Sequence, residues 1–227
     1  MKIKILIPVY NDFQSVSKLI SKINLVISNI EHEISIILVN DASSEKIELE
    51  NINMDKIESI QIINMRENKG HARCNAAGLK YIFENEEFDY VIPMDGDGED
   101  RPEEIINFID FLKYDKFKPI VGERIKRSEN LIFKLSYSIH KLITLVFTGQ
   151  SIKFGNYTCL PRSTVEKMVN EKATWNSFSG SLKKIENDLI SISSTRGNRY
   201  FGPSKMSFIN LIKHSLSIIS VFRKTFL

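Results

Sequence analysis

With 227 residues, 42% apolar and 26% charged, the chain excludes wholesale disorder and leaves room for one large domain or two small ones around an ample core. The net charge of +3 conceals a division: residues 1–117 carry 22 Asp+Glu against 13 Lys+Arg, whereas residues 118–227 carry 18 Lys+Arg against 6 Asp+Glu. A basic second half calls for an anionic partner, and without clustered RNA-reading motifs phosphates or a lipid surface are preferred over nucleic acid.

In chain order, IKILIPV (3–9) reads as a buried strand, and FQSVSKLISKINLVISNI (13–30) as a helix with apolar residues at three- and four-residue spacing. EISIILVND (33–41) is a second strand, and IESIQIINMR (57–66) contains a third. GHARCNAAGLKYIFEN (70–85) is a helix of small residues suited to close packing on a sheet. DYVIPM (89–94) is a fourth strand, PEEIINFIDFLK (102–113) a helix opened by Pro102, and KPIVGER (118–124) a fifth strand. Such alternation predicts an α/β fold, a mostly parallel sheet with helices on both faces, in which ligands bind beyond the carboxyl ends of the strands.

The polar residues fall at those ends: Tyr10 and Asn11, Asn40 and Asp41, the cluster Asp95, Asp97, Glu99 and Asp100, and Arg124. Crowded carboxylates repel one another unless a positive charge lies between them, so the cluster either fans outward as a helix entry or holds a cation. Glu103 and Glu104 fit a solvated helix N-terminus, where the helix dipole favours acids. The sequence lacks G-x-G-x-x-G after the first strand and a G-x-x-x-x-G-K-[ST] loop, which counts against nicotinamide or flavin dehydrogenases and P-loop nucleotidases. Hard oxygen ligands suit Mg2+ or Mn2+ bridging carboxylates to a phosphate-bearing ligand. Cys74 and Cys159 stand in no metal-ligand spacing and are expected as reduced, partly buried thiols. The first apolar run is too short for a signal peptide, and no window reaches the roughly 18 uncharged apolar residues of a membrane span.

Four motifs in order, IPVYND, LVNDASSE, NKGHARCNAAG and DGDGEDRPE, resemble those of inverting family-2 glycosyltransferases of the Rossmann-like GT-A fold. VGERIKR, FGNYTCLPR and RYFGPSKMS resemble the polyprenyl-phosphate branch of that family, typified by dolichol-phosphate mannose synthase. The resemblance implies a donor half (1–117) and an acceptor half (118–205) of one domain, followed by an amphipathic segment (206–227). It implies that Pro8, Tyr10, Asn11, Asp41 and Arg73 border the donor nucleotide, with Asp41 accepting from the base. Asp95 and Asp97 would hold the metal and diphosphate, Glu99 would add a third oxygen, and Asp97 and Arg124 would serve the chemistry. Asp100 is expected to cap the following helix.

The stretch TGQSIKFGNYTC (148–159) holds no acid where relatives often place a catalytic base. Either Glu123, Glu186 or Asp188 supplies the base, or the acceptor is a phosphate monoester, already anionic and needing none. Arg124, Lys134, Arg199 and Lys205 are the candidates to cradle such a phosphate, with Ser138 or Ser204 as hydroxyl donors. LIFKLSYSIHKLITLVF (131–147) and MSFINLIKHSLSIISVFRKTFL (206–227) read as basic amphipathic segments, either lying in a headgroup layer or packing on protein. The expected reaction is transfer from a nucleotide diphosphate sugar to a polyprenyl phosphate, at the cytoplasmic face of a membrane. Transfer to a glycan hydroxyl in polysaccharide synthesis and a non-catalytic nucleotide- or membrane-binding module are the alternatives. A homodimer or a membrane-protein partner is left open.

Overall fold

A computed structural model describes residues 1–45, 49, 54–126, 152–202, 216–218 and 220–222. The first half follows the predicted alternation: β1 (Lys2–Val9), α1 (Phe13–Val26) with a 3-10 turn (Ile27–Asn29), β2 (Glu33–Asn40), β3 (Ser59–Asn64), α2 (His71–Asn85), β4 (Tyr90–Pro93), α3 (Glu104–Phe111) and β5 (Ile120–Lys126). The second half adds β6 (Phe154–Pro161), α4 (Arg162–Asn170), a 3-10 turn (Lys172–Trp175), α5 (Phe178–Ile185) and β7 (Ile190–Thr195).

The seven strands form one sheet in the order β3-β2-β1-β4-β6-β5-β7. Pairings β1–β2, β1–β4, β2–β3 and β5–β7 are parallel, and only β6 runs against its neighbours β4 and β5. The start of β6 therefore lies at the same rim as the ends of the other six strands.

Side chains alternate across the sheet, so each strand feeds two cores. Ile3, Ile5 and Ile7 of β1 pack with Phe13, Val16, Leu19 and Ile20 of α1 and with Phe108 of α3 on one face. Leu6, Ile37, Val39, Val91 and Leu160 pack with Leu79 and Ile82 of α2, Val165 of α4 and Leu182 of α5 on the other. Fully burying each such aliphatic side chain is worth about 1.5–3 kcal/mol. Gly78 lets α2 approach closely, since a Cβ there would lie 2.3 Å from Leu6 Cδ1. Cys74 and Cys159 are free and buried.

Residues 216–218 and 220–222 are helical, and Ile218, Val221 and Phe222 are buried beside Ala173 and Ile152. Leu216 is exposed. Residues 131–147 lie outside the described residues. Among the described residues no helix is long and apolar enough to cross a membrane.

Candidate active site

β1 and β4 part at their carboxyl ends. Pro93 is the last β4 residue in register with β1, opposite Leu6, and the Met94 N–H still donates to the Leu6 carbonyl at 3.0 Å. Strands β2 and β3 lie to one side of β1 and β4 to the other, which makes this the switch point where open α/β sheets take ligands. Pro8, buried in β1, sits beyond the reach of β4, so its missing N–H costs no ladder bond on that side.

The carboxylate loop leaves from here. Asp100, 5% exposed, accepts from the Asp95 N–H at 2.9 Å, and Asp97 Oδ1 accepts from the Glu99 N–H at 2.9 Å. Asp100 thus closes the loop on itself instead of capping α3, whose first turn has no side-chain cap. The two bare positions have packing causes. A Cβ on Gly96 would stand 3.0 Å from Val16 Cγ2, and one on Gly98, at φ +89°, would stand 2.5 Å from the Tyr200 ring.

Glu104 is not the solvated helix entry expected from its position. It is buried and accepts from Ser194 Oγ and the Thr195 N–H, each at 2.7 Å, so the end of β7 is fastened to α3. The chain leaving β7 crosses the carboxylate loop. Arg196 pairs with Glu99, and Arg199 bridges Asp97 at 2.5 Å and Asp12 at 3.0 Å. Lys18 and Lys22 of α1 stand about 5 Å from the centre of the Tyr200 ring.

On the β1–β2 side, Asp41 is 4% exposed, and its two oxygens accept from the Lys69 and Gly70 N–H groups at 2.7 and 2.8 Å. It thereby fixes the entry to α2, where Gly70 holds φ +86°. Asn11 donates its N–H to Ser43 Oγ at 2.9 Å and accepts from the Ser44 N–H at 2.8 Å, stitching the two strand ends together. Asn11 and Ala42 both take left-handed backbone angles, φ 46° and 57°, a strain that tends to cluster at functional loops. Tyr10 is 46% exposed at the edge, and Arg73 is exposed on the first turn of α2.

The structure brings together Pro8, Tyr10, Asn11, Asp41, Asp95, Asp97, Glu99, Arg124 and Arg199 at one rim. Arg124 lies 3.9 Å from Asp100, largely buried against Gly155. Lys134, Ser138, Ser204 and Lys205 lie outside the described residues. Of the candidate bases, Glu186 holds Thr164 and Lys167, and Asp188 pairs with Lys118 beside the opposite end of β5. Glu123, halfway along β5, pairs with Lys153.

Sequence reasoning missed His71, Asn156, Asp12 and Arg196. His71 Nε2 stands 3.3 Å from Asp95 Oδ1, with the Asn156 amide against both and Asn75 Nδ2 at 3.0 Å. His71 and Asn156 lay within the motifs NKGHARC and FGNYTC, but only the return of β6 beside β4 brings them together.

Charge at the rim is finely opposed. Burial raises Asp95, but His71, Arg124 and Arg196 outweigh it and hold that carboxyl below its ordinary value. Burial, then the charge of Asp95, lifts Asp97 to about 6 against the pull of Arg199 and Arg196. A cation beside Asp95 and Asp97 would relieve that repulsion. Among the described residues no group of three His, Cys, Asp or Glu side chains is placed to cage a metal. Two carboxylates completed by ligand phosphates are the manner in which Mg2+ is commonly held, so Asp95 and Asp97 fit it. Glu99 is turned to Arg196 instead.

Comparison with solved structures gives the same fold at low identity. Glucosyl-3-phosphoglycerate synthase from Mycobacterium tuberculosis, in complex with Mn2+, UDP-glucose and phosphoglyceric acid, superposes with TM-score 0.69 at 12% identity over 98% of this chain and 79% of that one. The mannosyltransferase PcManGT from Pyrobaculum calidifontis, with GDP-mannose and Mn2+, gives 0.65 at 13% identity over 99% and 64%. TarS residues 1–349 from S. aureus give 0.55 at 12% identity; the match covers 86% of this chain and spans 59% of that one. The model of glycosyl transferase family 2 matches residues 4–178, which takes in every strand end at the rim except that of β7. By that match the chain belongs to glycosyl transferase family 2.

Proposed function

We propose that the protein transfers a sugar, with inversion at the anomeric carbon, from a nucleotide diphosphate donor to a phosphate-bearing acceptor, a polyprenyl phosphate in the first instance. The observation that carries this reading is the pair Asp95 and Asp97 at the switch point between β1 and β4, faced by Arg199 and Arg196. Pro8, Tyr10, Asn11 and Asp41 offer the nucleoside an edge at the ends of β1 and β2, and Arg73 stands at its border. Each Asp41 oxygen has a lone pair beyond the one its backbone donor uses, so it can still accept from a base N–H.

Asp95 and Asp97 would hold Mg2+ or Mn2+. That ion supplies Lewis-acid stabilisation of the leaving diphosphate. The chain's own guanidinium groups, Arg124, Arg196 and Arg199, add positive charge to the same rim. An acceptor oxygen then bonds to the anomeric carbon from the face opposite the breaking carbon–oxygen bond, and the nucleoside diphosphate departs with that electron pair. Glu123, Glu186 and Asp188 are each paired with a lysine, which favours an acceptor already anionic over a hydroxyl awaiting a base. Two of the proteins with similar structures are named as glucosyl- and mannosyl-3-phosphoglycerate synthases, so small phosphate acceptors belong beside polyprenyl phosphates in any trial. The basic second half supports residence at an anionic membrane surface.

A thermal-shift panel of UDP, GDP, CMP and dTDP, with and without Mn2+, tests the donor side. One nucleoside diphosphate should raise the melting temperature in a metal-dependent manner; no response to any of them contradicts the reading. Product formation from a short-chain polyprenyl phosphate, phosphoglycerate or an oligosaccharide then names the acceptor class.

A further inference from the structure

The arm after β7 is set on the carboxylate loop by two backbone hydrogen bonds. Gly197 N–H donates to the Glu99 carbonyl at 2.8 Å, and Tyr200 N–H to the Asp97 carbonyl at 2.9 Å. The approach is too close for larger residues: a Cβ on Gly197 would stand 2.7 Å from the Gly98 carbonyl oxygen. So positioned, Arg196 Nη2 meets Glu99 and Arg199 Nη1 meets Asp97, two of the carboxylates to which a cation would be drawn. Asp12 holds the other terminal nitrogen of Arg199 at 3.0 Å.

A guanidinium and a divalent cation both need the same oxygens, so they compete. The arginines are also incompletely satisfied, because the Nε–H groups of Arg196 and Arg199 are buried and find no acceptor among the described residues. A buried N–H without an acceptor is unfavourable, and the Nε–Nη edge of a guanidinium is shaped to grip a phosphate with two parallel bonds.

We propose that residues 196–200 form a latch in which Arg196 and Arg199 stand in for the divalent cation on Glu99 and Asp97, and turn to the donor's phosphates when the cation takes Asp97. This rests on the reading that the rim binds a nucleotide diphosphate with a divalent cation. Because release of the latch and binding of phosphate are linked, cation and nucleotide bind cooperatively.

The test follows free Mn2+ by its electron paramagnetic resonance signal in titrations of wild type, the R196Q/R199Q double variant and the R196K/R199K variant, with thermal unfolding of each as a check on folding. Without nucleotide, the glutamine variant is expected to bind Mn2+ about tenfold more tightly than wild type, the loss of a charge-assisted competitor. The lysine variant should fall back toward wild type, because charge at that place is what competes. UDP or GDP should then raise Mn2+ affinity more in wild type than in the glutamine variant, a comparison that stands on the wild-type fold. Equal Mn2+ affinity in wild type and glutamine variant, or equal enhancement by nucleotide, overturns the latch. If nucleotide binding in wild type nevertheless needs Asp95 and Asp97, the proposed function survives that result. A gain in Mn2+ affinity with no nucleotide binding in any protein supports the latch and sinks the function.

Discussion

Asp97 concentrates opposing demands in one side chain. It is mostly shielded from water, lies near the like charge of Asp95 and is answered by Arg199. An amide of the same shape cannot attract a cation as a carboxylate does. Asp95→Asn and Asp97→Asn should each remove the metal-dependent part of any nucleotide-induced thermal shift, leaving a nucleotide-only shift in place; an unchanged metal response would clear both residues of that role. Gly98 shows the same economy of space. Its φ of +89° and the Tyr200 ring 2.5 Å from a built Cβ leave no room for alanine. Gly98→Ala should destabilise the fold by about 1–3 kcal/mol in denaturant unfolding, through backbone strain and displacement of the ring.

Among elements, the fastening of β7 to α3 decides where the arginines stand. Glu104 joins them through two 2.7 Å hydrogen bonds inside the core. Glu104→Ala leaves the Thr195 N–H and the Ser194 hydroxyl without their partner, at a cost of about 2–4 kcal/mol. Amide exchange at Thr195, Gly197 and Tyr200 should quicken more than in β1 if the arm is hung from that clamp; uniform acceleration would mean only general destabilisation. The first-half elements were legible because each combines a local period with a local stop: the Gly70–Asn85 small-residue helix, the apolar run ending at Asp95, the proline before α3. β6 and β7 were not legible in that way. FGNYTCLP carries a motif, and nothing local announces that it runs antiparallel between β4 and β5. His71, Asn156 and Arg196 reach the rim through those long-range pairings, so the sequence showed the carboxylates without their partners. Glu104 misled for a related reason, since helix-entry acids are usually wet and the end of β7 that dries this one lies 90 residues away.

Across the whole molecule the two ends of the sheet do different work. The carboxyl ends gather the charges of the candidate site, while the opposite end ties strands to α2 through Glu86. Lys4 Nζ and Gln61 Nε2 donate to Glu86 at 2.7 and 2.8 Å, and Tyr81 Oη donates to Gln61 at 3.0 Å. Burial alone would raise the Glu86 carboxyl, but the bonds from Lys4 and Gln61 and the charge of Lys4 prevail and hold it below its ordinary 4.5. A depressed carboxyl stabilises the fold fully above its unfolded value and loses that contribution as pH falls through the folded one. The stability advantage of wild type over Glu86→Gln, about 1–2 kcal/mol at neutral pH, should therefore persist at pH 6 and shrink progressively once the pH falls below the carboxyl's ordinary 4.5 and through its lower folded value. An advantage that grows on acidification would contradict this assignment.

The most direct measurement is anomalous diffraction from crystals grown with Mn2+ and the nucleotide diphosphate sugar selected by thermal shift. The account predicts one manganese peak within about 2.0–2.3 Å of oxygens from Asp95 or Asp97 and from the diphosphate. Its arginines should have turned from the carboxylates toward the phosphates. A diphosphate bound away from the ends of β1 and β4, or a manganese peak that touches neither aspartate, would contradict it.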